Sequence, residues 1–391
     1  MNKITLSWVV IPFIFIGCNS DSTGSSSNLI SNSPTAVQGA RHDQNLSESK
    51  AILGDALFHD TSLSKTGTMS CATCHSKTTG FVDERSSSIG HMAGASSDGA
   101  SFGDRNVPTA SYASLVPKFH AVKKKKKVDH YVGGLFLDGR ALNLKEQAKG
   151  PFLNPVEMQM ENETAVVEKV KENENYITAL KLHYGETIFD DDIVAYDAIA
   201  DAIANFEKTE IFAPFDSKYD RSLTGDYNLT DQEAEGLALF ANKKKGNCTA
   251  CHPLGNFTDF TYDNLGVPVN TELRLANGKD GNFTDHGLLD NPAVSNSKYD
   301  GAFRVSSLRN IAVTAPYMHN GIFSDLKTVI HFYNTRDINT SLNPETDLPW
   351  RAAEVPATVN HDEMGDLGLT DTEEEALVAF LKTLTDKRFE K

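Results

Sequence analysis

Cys71, Cys74 and His75 stand in the order Cys-Ala-Thr-Cys-His, and Cys248, Cys251 and His252 repeat it as Cys-Thr-Ala-Cys-His, so four of the 5 cysteines fall into two CxxCH units. Two cysteines separated by two residues put both sulfurs at one end of a helical turn. There they can add across the two vinyl groups of a haem, and the next histidine lies under the iron as an axial ligand. A thioredoxin-like CxxC would need a βαβ setting, whereas helical patterns precede both units here; a four-cysteine zinc site would not require a histidine after each pair. The spacing predicts two covalently attached c-type haems, with His75 and His252 as proximal ligands. What such a pair does depends on the sixth coordination position: an electron carrier fills it permanently, a catalyst keeps it open or openable.

The elements that must position these units look like two diverged copies of one plan. Leu53-Gly54-Asp55-Ala56-Leu57-Phe58 precedes Cys71 by thirteen residues, and Glu235-Gly236-Leu237-Ala238-Leu239-Phe240 precedes Cys248 by eight. Each reads as a short amphipathic helix, and Thr230 with Glu233 forms a capping box for the second. A closing helix follows each unit. Tyr196, Ile199, Ile203 and Phe206 make one apolar stripe behind Asp190 to Asp192; Leu377, Phe380, Leu381 and Leu384 make another, with Thr370 and Glu373 as a capping box. Helix, CxxCH, loops and closing helix is the sequential plan of a cytochrome c domain. The expected fold is therefore mainly α, with an N-terminal cytochrome c-like domain over residues 46–212, a C-terminal one over 213–391, and a linker at 214–228. Long Gly/Ser/Asn-rich loops, at 86–105 and 270–300, are tolerable where a rigid cofactor supplies part of the core. Lys123 to Lys127 read as a solvated loop.

The chain carries 53 acidic against 37 basic residues, a formal charge of −16, which argues against nucleic acid as a partner. Residues 1–17 combine Lys3 with an apolar run too short to span a bilayer, as expected of a signal peptide. The run ends Phe15-Ile16-Gly17-Cys18, which resembles a bacterial lipobox, with Cys18 as the lipidated residue. Residues 18–45 then form a Ser/Asn-rich tether. The expectation is an exported protein of the bacterial periplasm or cell surface, held to a membrane only through lipid. Asn19 after Cys18 points to the outer membrane.

From about residue 50 to 385 the chain resembles the bacterial di-haem cytochrome c peroxidase family. The resemblance rests on LFHDTSLSKTGTMSCATCH, SIGH, GDRNVPT, LDGRA, EQAKGPFLNPVEM, GLALF with CTACH, FRVSSLRNIAVTAPYMHNG and GLTDTEEEALVAFLKTL. It implies that the haem at His75 is the peroxide site and that the haem at His252 receives electrons from a small cytochrome c or cupredoxin. It further implies that Glu157 is the distal acid/base and Gln147 its polar neighbour. His91 would occupy the sixth position of the first haem at rest, Arg140 would bind a haem propionate, and Asn106, Thr314 and Pro316 would hold calcium between the haems. A homodimer is compatible with it.

Two departures matter. At the second haem the family's distal methionine aligns with Tyr333, which resembles the His/Tyr coordination of the MauG-like subgroup; Met318, in the PYMHNG turn, is the other candidate ligand. A phenolate favours ferric iron and lowers the potential. Where family members read Phe-Trp-Asp-Gly-Arg, this chain has Phe136-Leu137-Asp138-Gly139-Arg140, without the bridging indole. The resemblance thus implies peroxide reduction, with peroxide-dependent oxidation of a partner protein as the alternative, and a non-enzymatic di-haem carrier as a third class that would have no use for Glu157.

Overall fold

Ser49 accepts the Ile52 N–H at 3.2 Å and so starts α1, Lys50–His59, whose Leu53, Leu57 and Phe58 are buried. The computed structural model describes residues 45–46, 48–85, 92–125, 127–279 and 283–390. Residues 1–44, which hold the expected signal peptide, Cys18 and nearly all of the expected tether, lie outside the described residues, as does His91.

The helices that follow are α2 Cys71–Cys74, α3 Leu144–Leu153, α4 Glu163–Lys171, α5 Glu174–Tyr184, α6 Asp192–Phe206, α7 Lys218–Thr224, α8 Asp231–Ala241, α9 Thr271–Ala276, α10 Leu326–Thr335 and α11 Asp371–Lys382. Among the described residues, strands are confined to three antiparallel ribbons: β1 His120–Lys124 with β2 Lys127–Val132, β3 Tyr262–Asp263 with β4 Phe303–Arg304, and β5 Leu342–Asn343 with β6 Leu348–Pro349. Among the described residues no helix is long and apolar enough to cross a membrane.

Two helix crossings carry the fold. α1 packs across α6, and α8 packs across α11. At both crossings the contact residue is a glycine: a Cβ on Gly54 would lie 2.0 Å from the Ala202 carbonyl oxygen, and one on Gly236 would lie 1.9 Å from that of Ala376. Only a residue without a side chain lets the two backbones approach this closely. Around the first crossing Phe58, Phe206 and Phe212 meet edge to face at 5.1–5.8 Å; around the second, Phe240 meets Phe380 at 5.1 Å. Both capping boxes expected from sequence, Thr230 with Glu233 and Thr370 with Glu373, start α8 and α11.

Residues 44–391 form one compact unit containing both cores. Arg105 joins its two halves by reaching Asp138 and Asp285, at 2.7 Å each. Two stretches differ from the sequence expectation. The proposed linker holds α7, started by a Ser217–Asp220 capping box and packed into the second core through Tyr219. The lysine run is the tip of the β1–β2 hairpin rather than a loop. Tyr131 and Phe119 anchor the hairpin's base, while Lys123, Lys124, Lys125 and Lys127 are exposed.

Candidate functional site

Each CxxCH closes a single helical turn: α2 in the first half, and a 3-10 turn at Cys248–Ala250 in the second. The histidine that follows is then fixed by one hydrogen bond. His75 Nδ1 lies 3.1 Å from the Phe81 carbonyl oxygen and His252 Nδ1 lies 2.8 Å from that of Phe257. A proton on Nδ1 leaves Nε2 bare, which is the tautomer an iron ligand needs. Phe81 (φ 59°) and Phe257 (φ 53°) both hold the left-handed conformation, uncommon and costly for a bulky residue. The same strain at the same place in both halves marks it as the device that turns the carbonyl onto the imidazole.

His75 and His252 line one cavity of about 340 Å³ that runs between the two cores. Burial pushes the Cys74 and Cys248 thiols up to about 12, so neither is the ready thiolate of a disulfide oxidoreductase. Burial also holds both imidazoles below their usual range, hence neutral.

The two halves differ in what faces the histidine. In the first, α3 ends at Leu153 and the chain turns through Asn154, whose side-chain amide donates to Glu157 Oε1 at 2.7 Å. Gln147, His75, Glu157 and Glu207 line a small cavity of about 40 Å³ beside Cys71 and Cys74, and Gln147, His75 and Glu207 also line the large one. Burial raises the Glu157 carboxyl, against the opposing pull of the Asn154 bond and the Arg140 charge. Glu207, at the end of α6, is 5% exposed, has an Oε2 without a hydrogen-bond partner, and is pushed up to about 8 by burial. In the second half Tyr333, on α10, lines the large cavity with Cys248, Cys251, His252, Met318 and Met364. Burial pushes its phenol up, so only a bound cation would draw the proton off.

Two arginines bear on the expected propionate contact. Arg140 is exposed, paired with Asp138 at 2.6 Å and laid over the Phe136 ring at 3.8 Å, and it does not line the cavity. The guanidinium that does is that of Arg304, on β4, whose one hydrogen bond among the described residues is a long one of 3.4 Å to the Phe136 carbonyl. A desolvated cation so poorly paired fits the carboxylate of a haem propionate. Asn106, Thr314 and Pro316 also line the cavity, and the Asn106 side-chain amide lies 2.5 Å from the Pro316 carbonyl oxygen. Sequence reasoning missed Phe81, Phe257, Glu207 and Arg304. The only signal for the two phenylalanines is their near-equal spacing from His75 and His252.

Two histidines with bare Nε2 atoms, two cysteine pairs and an under-paired arginine around one apolar cavity fit two covalent haems. The site therefore defines a two-haem redox protein. The sequence signature of the di-haem cytochrome c peroxidases matches residues 48–228. The methylamine utilization protein MauG of Paracoccus denitrificans is 44% identical over 87% of this chain and 89% of its own length. The cytochrome c551 peroxidase of Pseudomonas aeruginosa is 32% identical over 77% and 76%. The crystal structure of the diheme peroxidase BthA from Burkholderia thailandensis superposes with a TM-score of 0.77, at 33% identity, over 87% of this chain and 86% of that one. The chain belongs to the di-haem cytochrome c peroxidase family, is an oxidoreductase, and as a member carries two c-type haems.

Proposed function

We propose that this protein reduces hydrogen peroxide to water at the haem attached to Cys71 and Cys74, with electrons that a small cytochrome c or cupredoxin delivers to the haem attached to Cys248 and Cys251. His75 and His252 would hold the irons, and Arg304 a propionate. When bound, the haem at His75 supplies an open iron position and the electrons that break the oxygen–oxygen bond.

The chain does the proton work. Peroxide must lose a proton from one oxygen and gain one on the other before it splits, and a carboxylate beside it can carry that proton across. Glu157 would be that carboxylate: it lines the small cavity together with His75, and the Asn154 side-chain amide, which donates to its Oε1 at 2.7 Å, leaves Oε2 for the proton, which supports the reading. Gln147 orients peroxide from the same wall. His91 would close the site at rest and leave on reduction of the second haem. Asn106, Thr314 and Pro316 would offer calcium the oxygen ligands that a hard cation takes, steadying the seam between the haems. The sequence leader adds export and a lipid anchor on Cys18. The single observation that carries the reading is the Glu157–Gln147–His75 grouping.

Tyr333 favours a second reading, in which peroxide is spent on oxidising residues of a partner protein. A tyrosine ligand at the second haem makes stored oxidising states more accessible than a methionine would, and the Paracoccus relative is itself a MauG. Peroxide consumption by the haem-loaded protein separates the two. Rapid turnover with a reduced small cytochrome supports the peroxidase. Slow turnover, with a long-lived oxidised spectrum after peroxide, supports partner oxidation.

A further inference from the structure

The electron that arrives at the second haem has to cross the wall between the two sites, and Leu137, which lines that wall, is saturated and cannot be oxidised. Three tyrosines line the same cavity: Tyr112, Tyr317 and Tyr333. A phenol can pass an electron on only if its proton has somewhere to go. The Tyr317 hydroxyl donates to the Ile311 backbone carbonyl at 3.0 Å, which cannot take a proton. Tyr333 faces the second haem as its candidate ligand. Tyr112 is different. Its hydroxyl donates to Asp386 Oδ1 at 2.5 Å, and it is 2% exposed while Asp386 is 0% exposed.

The pair stands at the seam of the two halves. Tyr112 N–H donates to the Phe212 carbonyl of the first core, whereas Asp386 is held from the second by the Asn310 side-chain amide at 2.8 Å and donates its own N–H to Asn310 Oδ1 at 2.8 Å. Phe215 packs edge to face on the Tyr112 ring at 5.0 Å. The ring is thus immobilised and shielded from water, and its carboxylate is fixed in advance.

We propose that Tyr112 and Asp386 form a redox relay between the haem sites. Tyr112 gives one electron toward the His75 haem after peroxide has oxidised it, and in the same step its phenolic O–H bond breaks and the proton moves to Asp386 Oδ1. The neutral phenoxyl radical then takes one electron from the His252 haem and the proton back from Asp386. One electron has crossed and the pair is unchanged; hydrogen peroxide is the terminal oxidant. The relay rests on the proposed peroxide chemistry.

The test is rapid-freeze electron paramagnetic resonance of the haem-loaded protein after peroxide, grown with ring-deuterated or ordinary tyrosine, together with stopped-flow inter-haem electron transfer. The relay predicts a radical signal narrowed by tyrosine deuteration. It predicts that Tyr112→Phe loses that signal and slows inter-haem transfer at least tenfold with both haem spectra intact. It also predicts that Asp386→Asn slows transfer likewise, and that Leu137→Trp, which puts an oxidisable ring into the same wall, restores transfer in the Tyr112→Phe background. A purely structural seam contact would not be rescued this way. A signal indifferent to labelled tyrosine, or a Tyr112→Phe rate equal to wild type, overturns the relay; the labelling arm needs no variant. Wild-type protein that passes no electrons to peroxide contradicts the parent reading instead.

Discussion

The first and second halves of the molecule hold their histidines in the same way and face them with different chemistry. Gly54 beneath Ala202 has its counterpart in Gly236 beneath Ala376, and the Phe81 carbonyl on His75 has its counterpart in that of Phe257 on His252. With His75, Gln147, Glu157 and Glu207 line the small cavity; with His252, Tyr333, Met318 and Met364 line the large one. The shared parts settle where a haem sits and which imidazole nitrogen is free. On the proposed function, the unshared parts would decide which haem handles protons and which holds a sixth ligand. Carboxyls whose pKa burial raises suit an acid/base site, whereas a phenol and two thioethers suit a site that only gains and loses electrons.

Substitutions that strike one half alone break this division most severely. Tyr333→Phe should change the absorption spectrum and lower the stability of the oxidised state of one haem only; an unchanged spectrum would show that Tyr333 is no ligand and hand the role to Met318. Substitutions at the shared helix crossings should instead act alike on both halves. Gly54→Ala and Gly236→Ala each force a Cβ into a carbonyl oxygen, an overpacking that costs about 1–3 kcal/mol. Each should lower the thermal midpoint by a similar amount in calorimetry. A large drop for one and none for the other would mean that the crossings are not equivalent.

A further effect concerns Glu207. Its folded-state value, about 8, lies above that of an exposed carboxyl, so the native state holds a proton the unfolded chain has released. Its contribution to stability is complete below the unfolded value and is lost as pH rises through about 8. Glu207→Gln should flatten that part of the pH–stability curve in denaturant titrations; an unaltered slope would show that Glu207 is not held neutral.

The sequence made much of the scaffold legible because its signals are local. Two CxxCH units, two capping boxes and two apolar stripes each depend on residues within a few turns, and α1, α6, α8 and α11 follow them. Leu384 is buried as the stripe implies, although α11 ends at Lys382. What escaped depends on distant partners or on backbone conformation. Nothing in the identity of Phe81 or Phe257 announces a left-handed residue. Arg140 and Arg304 are indistinguishable as types, and only the fold turns one toward Asp138 and the other into the cavity. The β1–β2 hairpin was hidden because a lysine run erases the alternation by which strands are read. α7 was hidden inside a stretch whose Pro, Asp and Gly content reads as a linker, although Ser217 and Asp220 cap a helix there.

The division of labour between the halves is tested most directly at Glu157. Peroxide consumption by the haem-loaded protein, with a reduced small cytochrome as donor, should be compared between wild type and Glu157→Gln. Loss of general acid/base help is worth about 10²–10⁴-fold, so the variant should lose at least a hundredfold in turnover while both haem spectra stay as they were. Turnover near the wild-type rate in Glu157→Gln would contradict the assignment of the proton chemistry to the first half.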